Sequence, residues 1–189
     1  MRLMILEEEN NSNQLEQIQD SIEELNTYEY GVLVDGEHIT DLEGFDFDDD
    51  YRVIPVDEFE RERIGICWDF TNYQHRLYDE LGYPNTCYMF VQRLSDNPED
   101  IITHSFIIVE VGGESYWAES ARYKDRGVHR VDSYKDVVDI IREPYLDYDV
   151  YEYNPDGLDD YLTSNEYFDA ATQNLIDTSQ PDNEYVKII

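Results

Sequence analysis

The sequence has very few lysines for a chain so rich in charge. Of its 189 residues, three are lysines, ten are arginines and 45 are acidic, so the formal net charge is -32. Such a charge repels the phosphates of nucleic acids and of anionic membranes, and it favours basic partners or a salty environment that screens self-repulsion. We therefore expect no nucleic-acid ligand and no membrane partner. A salt-adapted organism and an acidic interaction surface would both account for this composition.

Long apolar runs are also missing. No run reaches the roughly 20 residues that a membrane-spanning helix needs, and three glutamates at residues 7–9 interrupt the apolar start before a signal peptide could develop. Only two cysteines are present, Cys67 and Cys87, and a reducing compartment favours two free thiols over a disulfide. We therefore expect a cytoplasmic protein, or one of the host cytoplasm or virion if it is viral.

Glycine-rich phosphate loops and clusters of cysteine and histidine with metal-ligand spacing are absent, so we expect no organic cofactor and no metal. Asp46, Asp48 and Asp50 do alternate as in the opening of a calcium-binding EF-hand loop. However, Tyr51 stands where that loop needs glycine, and Asp57 stands where it needs glutamate. This segment is predicted to be a solvated acidic turn.

Enough apolar and aromatic residues remain to build one core. The chain is 41% hydrophobic and 14% aromatic, with 17 tyrosines, which is well above the content of a disordered acidic chain. Residues 1–60 and 144–189 carry net charges of -17 and -10, whereas the middle of the chain is nearly balanced. We predict an acidic helical segment at 1–29, a central domain at 30–153, and an acidic C-terminal extension with one short helix at 154–189.

The apolar spacing predicts a mixture of helices and strands in an α+β fold. An Asp-Gly pair at residues 35 and 36 predicts a short hairpin, and Gly82 is predicted to end the helix that begins near Cys67. Helices are predicted at 13–25, 67–81, 134–141 and 164–171, and strands at 86–94, 103–111, 115–121, 127–131 and, as a late edge strand, 149–153.

Cys67 is the first candidate for chemistry because it stands at the predicted start of a helix. Unpaired backbone N–H groups and the helix dipole favour an anion there, so a thiolate is stabilised and the position suits a nucleophile. A buried structural cysteine is the alternative, because free cysteine is among the most buried residues. The choice between the two depends on whether a base lies nearby.

His104 is the best candidate for that base among the four histidines. His75 lies eight residues beyond Cys67 on the same predicted helix, about 12 Å along its axis, which is too far for proton exchange. We predict that it lies on the outer face of the helix. His38 and His129 are predicted to lie on the surface, whereas His104 begins the most apolar predicted strand.

The turn after this strand predicts a partner for His104. If Gly112 and Gly113 form a two-residue hairpin turn, Val111 pairs with Glu114. Glu119 then becomes a diagonal neighbour of His104, with Cα atoms about 7 to 8 Å apart. Cys67, His104 and Glu119 would supply the thiol, the imidazole and the orienting carboxylate of a catalytic triad. A three-residue turn would instead place Glu119 on the opposite face as an ordinary polar residue.

Three stretches add a resemblance to a known family. GICWD at 65–69, THSFIIVEVGGESYWAES at 103–120 and RGVHRV at 126–131 together resemble small bacterial and phage proteins with a transglutaminase-like domain of the papain-like cysteine enzymes. The resemblance covers roughly residues 30–153. It implies a papain-like/transglutaminase-like core in which a helix carrying the cysteine packs on an antiparallel sheet.

The same resemblance implies roles for the three residues. Cys67 would be the nucleophile, His104 the general base and acid, and Glu119 the orienting acid, although aspartate is more frequent at the third position in this family. The reaction would be acyl transfer from an amide of a protein or peptide substrate through a thioester. Water as acceptor would make the protein a hydrolase such as a cysteine protease, and an amine would make it a transferase.

Two alternatives remain open at the level of the sequence. An inactive relative could have kept the fold as an acidic interaction protein or a structural protein of a virion. An acidic decoy could mimic nucleic acid and occupy basic proteins, in which case carboxylates would form regular rows over an extended surface. The enzyme hypothesis predicts instead a cleft at Cys67 with His104 within a few ångströms.

Overall fold

The structure is a computed structural model that describes residues 2–95 and 101–179. Its α-helices and strands follow in the order α1 (Arg2–Leu25), β1 (Glu29–Tyr30), β2 (Val32–Val34), β3 (Glu37–Ile39), α2 (Phe47–Asp50), α3 (Val56–Glu62), β4 (Ile64–Gly65), α4 (Cys67–Glu80), β5 (Asn85–Arg93), β6 (Ile101–Val111), β7 (Glu114–Glu119), β8 (Gly127–Val131), α5 (Tyr134–Ile141), β9 (Tyr148–Tyr153), α6 (Ser164–Ala171) and β10 (Leu175–Ser179).

A six-stranded antiparallel sheet of strand order β10-β9-β5-β6-β7-β8 forms the centre of the fold. Alternate residues of its strands face opposite sides, as the pleat of a sheet requires. Ile107 and Val109 of β6 belong to the core that also contains α1 and α4, whereas Phe106 and Ile108 belong to a second cluster with α5. The predicted α+β class is confirmed, with the helix that carries the cysteine packed on an antiparallel sheet.

Both ends of the chain contribute to the main core. Ile18 and Ile22 of α1 are fully buried there, and so are Tyr167 and Ala171 of α6. Both later helices begin with a side-chain cap, because Ser133 accepts a hydrogen bond from the backbone N–H of Lys135 at the start of α5, and Thr163 accepts one from that of Glu166 at the start of α6.

The prediction that 149–153 is an edge strand is wrong. Strand β9 pairs with β5 on one side and with β10 on the other, so it lies inside the sheet. The added edge strand, β10, has a mainly polar sequence and was not predicted as a strand. Backbone pairing with β9 holds β10 in place.

The predicted hairpin at Asp35-Gly36 is confirmed, since β2 and β3 pair and both turn residues have the positive φ angles of such a turn, 50° and 82°. The predicted acidic turn contains the short helix α2, and Asp46, directly before this helix, accepts a hydrogen bond from the backbone N–H of Asp49. Within the described residues, no helix is both long and apolar enough to cross a membrane.

Candidate active site

Cys67 is the first residue of α4, as predicted, and the backbone before it is tightly constrained. A Cβ atom on Gly65 would lie 2.7 Å from Cβ of Asp69 and 2.7 Å from a ring carbon of Phe59, so glycine is required for this approach. The carboxylate of Asp69 accepts hydrogen bonds from the backbone N–H groups of Ile66, at 2.8 Å, and Ile54, at 3.3 Å. These contacts fix the point at which the helix begins.

Asp69 is almost completely buried beneath the nucleophile. Burial raises the pKa of Asp69 to about 6, although the hydrogen bonds from Tyr51 and from the two backbone N–H groups act in the opposite direction. The Tyr51 hydroxyl donates to Asp69 at 2.7 Å. The charge of Asp69 in turn adds to burial in raising the pKa of Tyr51, which keeps this phenol protonated.

Replacing Asp69 with alanine is expected to lower the free energy of unfolding by about 2 to 4 kcal/mol, because a helix cap is lost and two buried N–H groups lose their partner. The rate at which a thiol reagent labels Cys67 should also change, because the start of the helix is no longer fixed. Chemical denaturation of this variant and of Asp20→Ala, an exposed aspartate on α1, would measure the effect. Equal loss in the two variants would contradict the structural role assigned to Asp69.

His104 and Glu119 form a buried pair. Nε2 of His104 lies 2.9 Å from Oε2 of Glu119, and both residues are at most 5% exposed. The imidazole is also within hydrogen-bonding reach of the Cys67 side chain. Because Nε2 is occupied by Glu119, Nδ1 is the ring nitrogen that remains for the thiol. The structure therefore brings all three predicted site residues together.

The electrostatics of the pair favour the charged forms. Burial lowers the pKa of His104, but the negative charge of Glu119 and hydrogen bonds to Cys67 and Glu119 outweigh it and raise the pKa to about 9. Burial raises the pKa of Glu119, but the His104 charge and hydrogen bonds from His104, Arg122 and Ala121 leave it below its usual value. An imidazolium beside the thiol favours the thiolate.

Glutamate suits the third position because of its length. Its Oε2 meets His104, while Oε1 accepts the backbone N–H groups of Ala121 and Arg122, each at 2.7 Å. The chain turns directly after Glu119, so these N–H groups point back towards its own carboxylate. Glu119 is thus held on both oxygens, and its orientation is fixed before any substrate binds.

The strand register that the pairing requires is confirmed. Val111 pairs with Glu114 across the two-residue turn, and the ladder continues to Ile108 and Trp117. Beyond this ladder, the nucleophile helix itself holds the chain around Glu119. Gln74 of α4 donates to the carbonyl of Ala118, at 3.0 Å, and accepts the Ser120 hydroxyl at 2.9 Å.

Tyr30 is a further site residue, and no pattern in the sequence predicts its position. The short strands β1 and β4 pair in parallel, with Tyr30 opposite Gly65, and the Tyr30 side chain lines the same cleft as Cys67. The pKa of Tyr30 is raised, first by burial of the hydroxyl and then by the charge of Cys67, while a hydrogen bond from the Cys67 backbone N–H acts in the opposite direction. The phenol is therefore a protonated hydrogen-bond donor beside the thiol.

A cleft of about 680 Å³ opens at the thiol. Its walls include the aromatic side chains of Tyr30, Trp68 and Phe168, with Asp169 among the polar groups. The Trp68 ring stacks on Tyr167 of α6 at a centroid distance of 4.8 Å, so the first turn of α4 and the last helix build the cleft together. Cys67 lines this cleft and is 5% exposed.

The other histidines lie away from this site. His75 is only 9% exposed, so the prediction of an outer-face position is wrong: the β5 side chain of Asn85 covers it and bonds to its Nδ1 at 2.6 Å. His38 is exposed, as predicted. His129 is half-buried rather than on the surface, with its ring 5.1 Å from that of Trp117.

No protein-family model, curated protein or solved structure significantly matches this chain. Conclusions about its activity therefore depend on the geometry and chemistry of the site.

Proposed function

We propose that this protein is a cysteine-dependent acyl-transfer enzyme that attacks an amide and forms a thioester on Cys67. The observation that carries the proposal is the buried connection from the Cys67 thiol through His104 to Glu119, with the thiol open to a cleft. A thiol at a helix start, followed by an imidazole and a carboxylate on consecutive strands, is also the order that the resemblance to transglutaminase-like domains implies. We therefore also propose that the chain is a member of that group.

In the proposed reaction, the Cys67 thiolate forms a bond to the carbonyl carbon and the carbonyl oxygen becomes an oxyanion. The tetrahedral intermediate then collapses, the C–N bond breaks, and His104 gives its proton to the leaving amine. A water or a second amine next attacks the thioester while His104 accepts its proton. The Cys67 thiolate leaves as the acyl product is released, which restores the starting state.

Two donors are available for the oxyanion. The backbone N–H of Cys67 lies at the start of α4, where the helix dipole also favours negative charge. In the resting site the Tyr30 hydroxyl lies beside this N–H, in the place where a substrate oxygen would bind. When the substrate oxygen takes that place, a small shift of the half-exposed Tyr30 ring lets its hydroxyl donate to the oxyanion as well.

Formation of the acyl-enzyme tests the proposed function directly. An activated ester such as p-nitrophenyl acetate should give a stoichiometric burst of nitrophenol, with mass spectrometry locating the acetyl group on Cys67. Cys87→Ala should keep the burst and Cys67→Ala should lose it. Cys87 is the matched control because it is also a free, buried thiol, and burial raises its pKa well above the usual range. An adduct on neither thiol, or equally on both, would overturn the proposal.

Replacing Tyr30 with phenylalanine is expected to slow acylation about 100-fold with little change in KM, because one oxyanion donor is lost. Stopped-flow measurement of the nitrophenol burst would give both constants. Tyr123→Phe, at a tyrosine that is 86% exposed, is the matched control and should leave the burst unchanged. A faster burst in Tyr30→Phe would mean that the hydroxyl shields the thiol and does not assist the reaction.

We further infer a cytoplasmic protein with a peptide substrate of neutral or positive charge. Two free cysteines fit a reducing compartment. The net charge of -32 and the carboxylate of Asp169 in the cleft wall favour basic peptides over acidic ones. Assays with and without an added primary amine would show whether the thioester passes to water or to an amine.

A further inference from the structure

A second cluster of polar side chains surrounds His75, near the C-terminal end of α4. Its Nε2 lies 3.8 Å from Oδ2 of Asp79, one turn further along the helix, and 3.6 Å from Oδ2 of Asp156. Asp156 belongs to the short 3-10 turn Pro155–Gly157 that follows β9. The three possible ligand atoms all lie within 4.8 Å of one another. The site is separate from the thiol and from the cleft described above.

The imidazole of His75 is held in one orientation and one tautomer. Its Nδ1 lies 2.6 Å from Oδ1 of Asn85, and because this amide oxygen can only accept, Nδ1 carries the hydrogen. The amide nitrogen of Asn85 also donates to Asp79 at 2.8 Å, so one side chain orients both His75 and Asp79. Such support from outer side chains is typical of histidines that bind metals through the other nitrogen.

The remaining nitrogen of His75 is buried and has no hydrogen-bond partner among the described residues. Its lone pair is directed towards two carboxylates, Asp79 and Asp156, that can only accept when ionised. Three acceptors so close together are unfavourable unless a proton or a metal ion lies between them. The two carboxylates are half-exposed or more, so solvent and ions can reach the cluster.

The spacing of these atoms fits coordination better than direct hydrogen bonding. Separations of 3.6 and 3.8 Å between nitrogen and oxygen are too long for a hydrogen bond. Two ligands of a tetrahedral ion at about 2.0 to 2.1 Å are roughly 3.3 Å apart. The three possible ligand atoms lie within 4.8 Å of one another, so shifts of about 1 Å in the two exposed aspartate side chains would bring all of them to this spacing.

We propose that His75, Asp79 and Asp156 form a binding site for a divalent transition-metal ion such as Zn²⁺, with water as the fourth ligand. One imidazole and two carboxylates favour such an ion over Ca²⁺ or Mg²⁺, which prefer oxygen ligands alone. The ion would connect the turn at 155–157 to α4 and thereby stabilise the start of the segment that leads to α6. This proposal does not depend on the proposed acyl-transfer activity.

The site can be tested by titrating the metal-free full-length protein with Zn²⁺. Excess Mg²⁺ is present to occupy nonspecific carboxylate sites on the acidic surface. One equivalent is expected to bind with a Kd of about 10 μM or tighter, and saturation should raise Tm by about 5 °C. Co²⁺ should give the visible absorption bands of a tetrahedral nitrogen and oxygen site.

Substitutions distinguish Zn²⁺ binding at this site from nonspecific binding of Zn²⁺ to a very acidic protein. Asp156→Asn and His75→Gln are expected to weaken Zn²⁺ binding at least about tenfold and to remove the Tm shift. Asp159→Asn, at an exposed aspartate three residues further along, should bind as the wild type does. Because Asp156 is exposed, its variant should fold normally, which circular dichroism checks. Equal binding by Asp156→Asn and Asp159→Asn, or no saturable binding by the wild type, would overturn the proposal.

Discussion

Replacing His104 with alanine is expected to slow alkylation of Cys67 by iodoacetamide about 30-fold at pH 7. Only the thiolate reacts, and an unassisted thiol with a pKa of about 8.5 is mostly protonated at that pH. In the wild type, the neighbouring imidazolium favours the thiolate, since the pKa of His104 is raised to about 9. Rates of labelling followed by peptide mass spectrometry would measure the effect at Cys67 and at Cys87 separately.

The pH dependence of this labelling distinguishes loss of activation from loss of access. At about pH 10 hydroxide ionises the thiol without help, so the variant should approach the wild-type rate. His38→Ala is the matched control, because His38 is exposed and its imidazole pairs with Glu29 at 3.0 Å and not with the thiol. Slow labelling of Cys67 that is equal in the wild type and in His104→Ala at pH 7 would rule out an activated nucleophile.

The main elements of the candidate site could be predicted because each depends on local sequence. The two glycines at 112 and 113 specify a two-residue turn, and this turn fixes which residues of β6 and β7 are neighbours. The start of α4 at Cys67 follows from the apolar spacing of that helix. Tyr30 could not be found in this way, because it reaches the thiol through a pairing of two residues each between β1 and β4. Such a short parallel contact leaves no pattern in the sequence.

The errors in the fold have a related cause. Leu175–Ser179 has few apolar residues, and it forms a strand because the backbone of β9 offers an unpaired edge. His75 is predicted to lie on the outer face of its helix because it is too far along that helix to exchange a proton with Cys67. It is buried because Asn85 and the turn at 155–157 come from other parts of the chain to cover it. Contacts between distant segments, which single-sequence patterns do not record, decide both cases.

Replacing Glu119 with glutamine is expected to lower kcat about 100- to 10,000-fold while leaving the fold intact. The glutamine carbonyl can still accept the N–H groups of Ala121 and Arg122, so the local backbone keeps its partners. Its amide nitrogen then faces Nε2 of His104, which must become an acceptor. The hydrogen of a neutral His104 therefore moves to Nδ1, the nitrogen that has to take a proton from the thiol or the attacking water.

The pH dependence of kcat/KM in this variant tests the role of Glu119, because the loss of a purely structural contact would not shift it. In the wild type, the pKa of His104 is raised from its ordinary 6.5 to about 9, so the alkaline limb of kcat/KM should lie near pH 9. Without the Glu119 charge, burial lowers the pKa of His104 and only Cys67 opposes this effect. The alkaline limb should consequently move to lower pH by about 1 to 3 units.

The contribution of the pair to the stability of the fold should also depend on pH, with a loss at both the acidic and the alkaline end. Since the folded pKa of His104 is raised, its pairing with Glu119 stabilises the fold fully below about pH 6.5, and this contribution is lost as the pH rises through about 9. Since the folded pKa of Glu119 is lowered, the contribution is also lost as the pH falls through its ordinary 4.5 and below. Glu119→Gln should thus be less stable than the wild type mainly between pH 5 and 8. Glu119→Asp keeps the negative charge but has a shorter side chain, so it should recover only part of the lost free energy of unfolding. Urea denaturation at pH 6 and pH 10 would measure the free energy of unfolding of the wild type and the variants. If Glu119→Gln lost the same amount of stability at the two pH values, this would contradict an ion pair between His104 and Glu119.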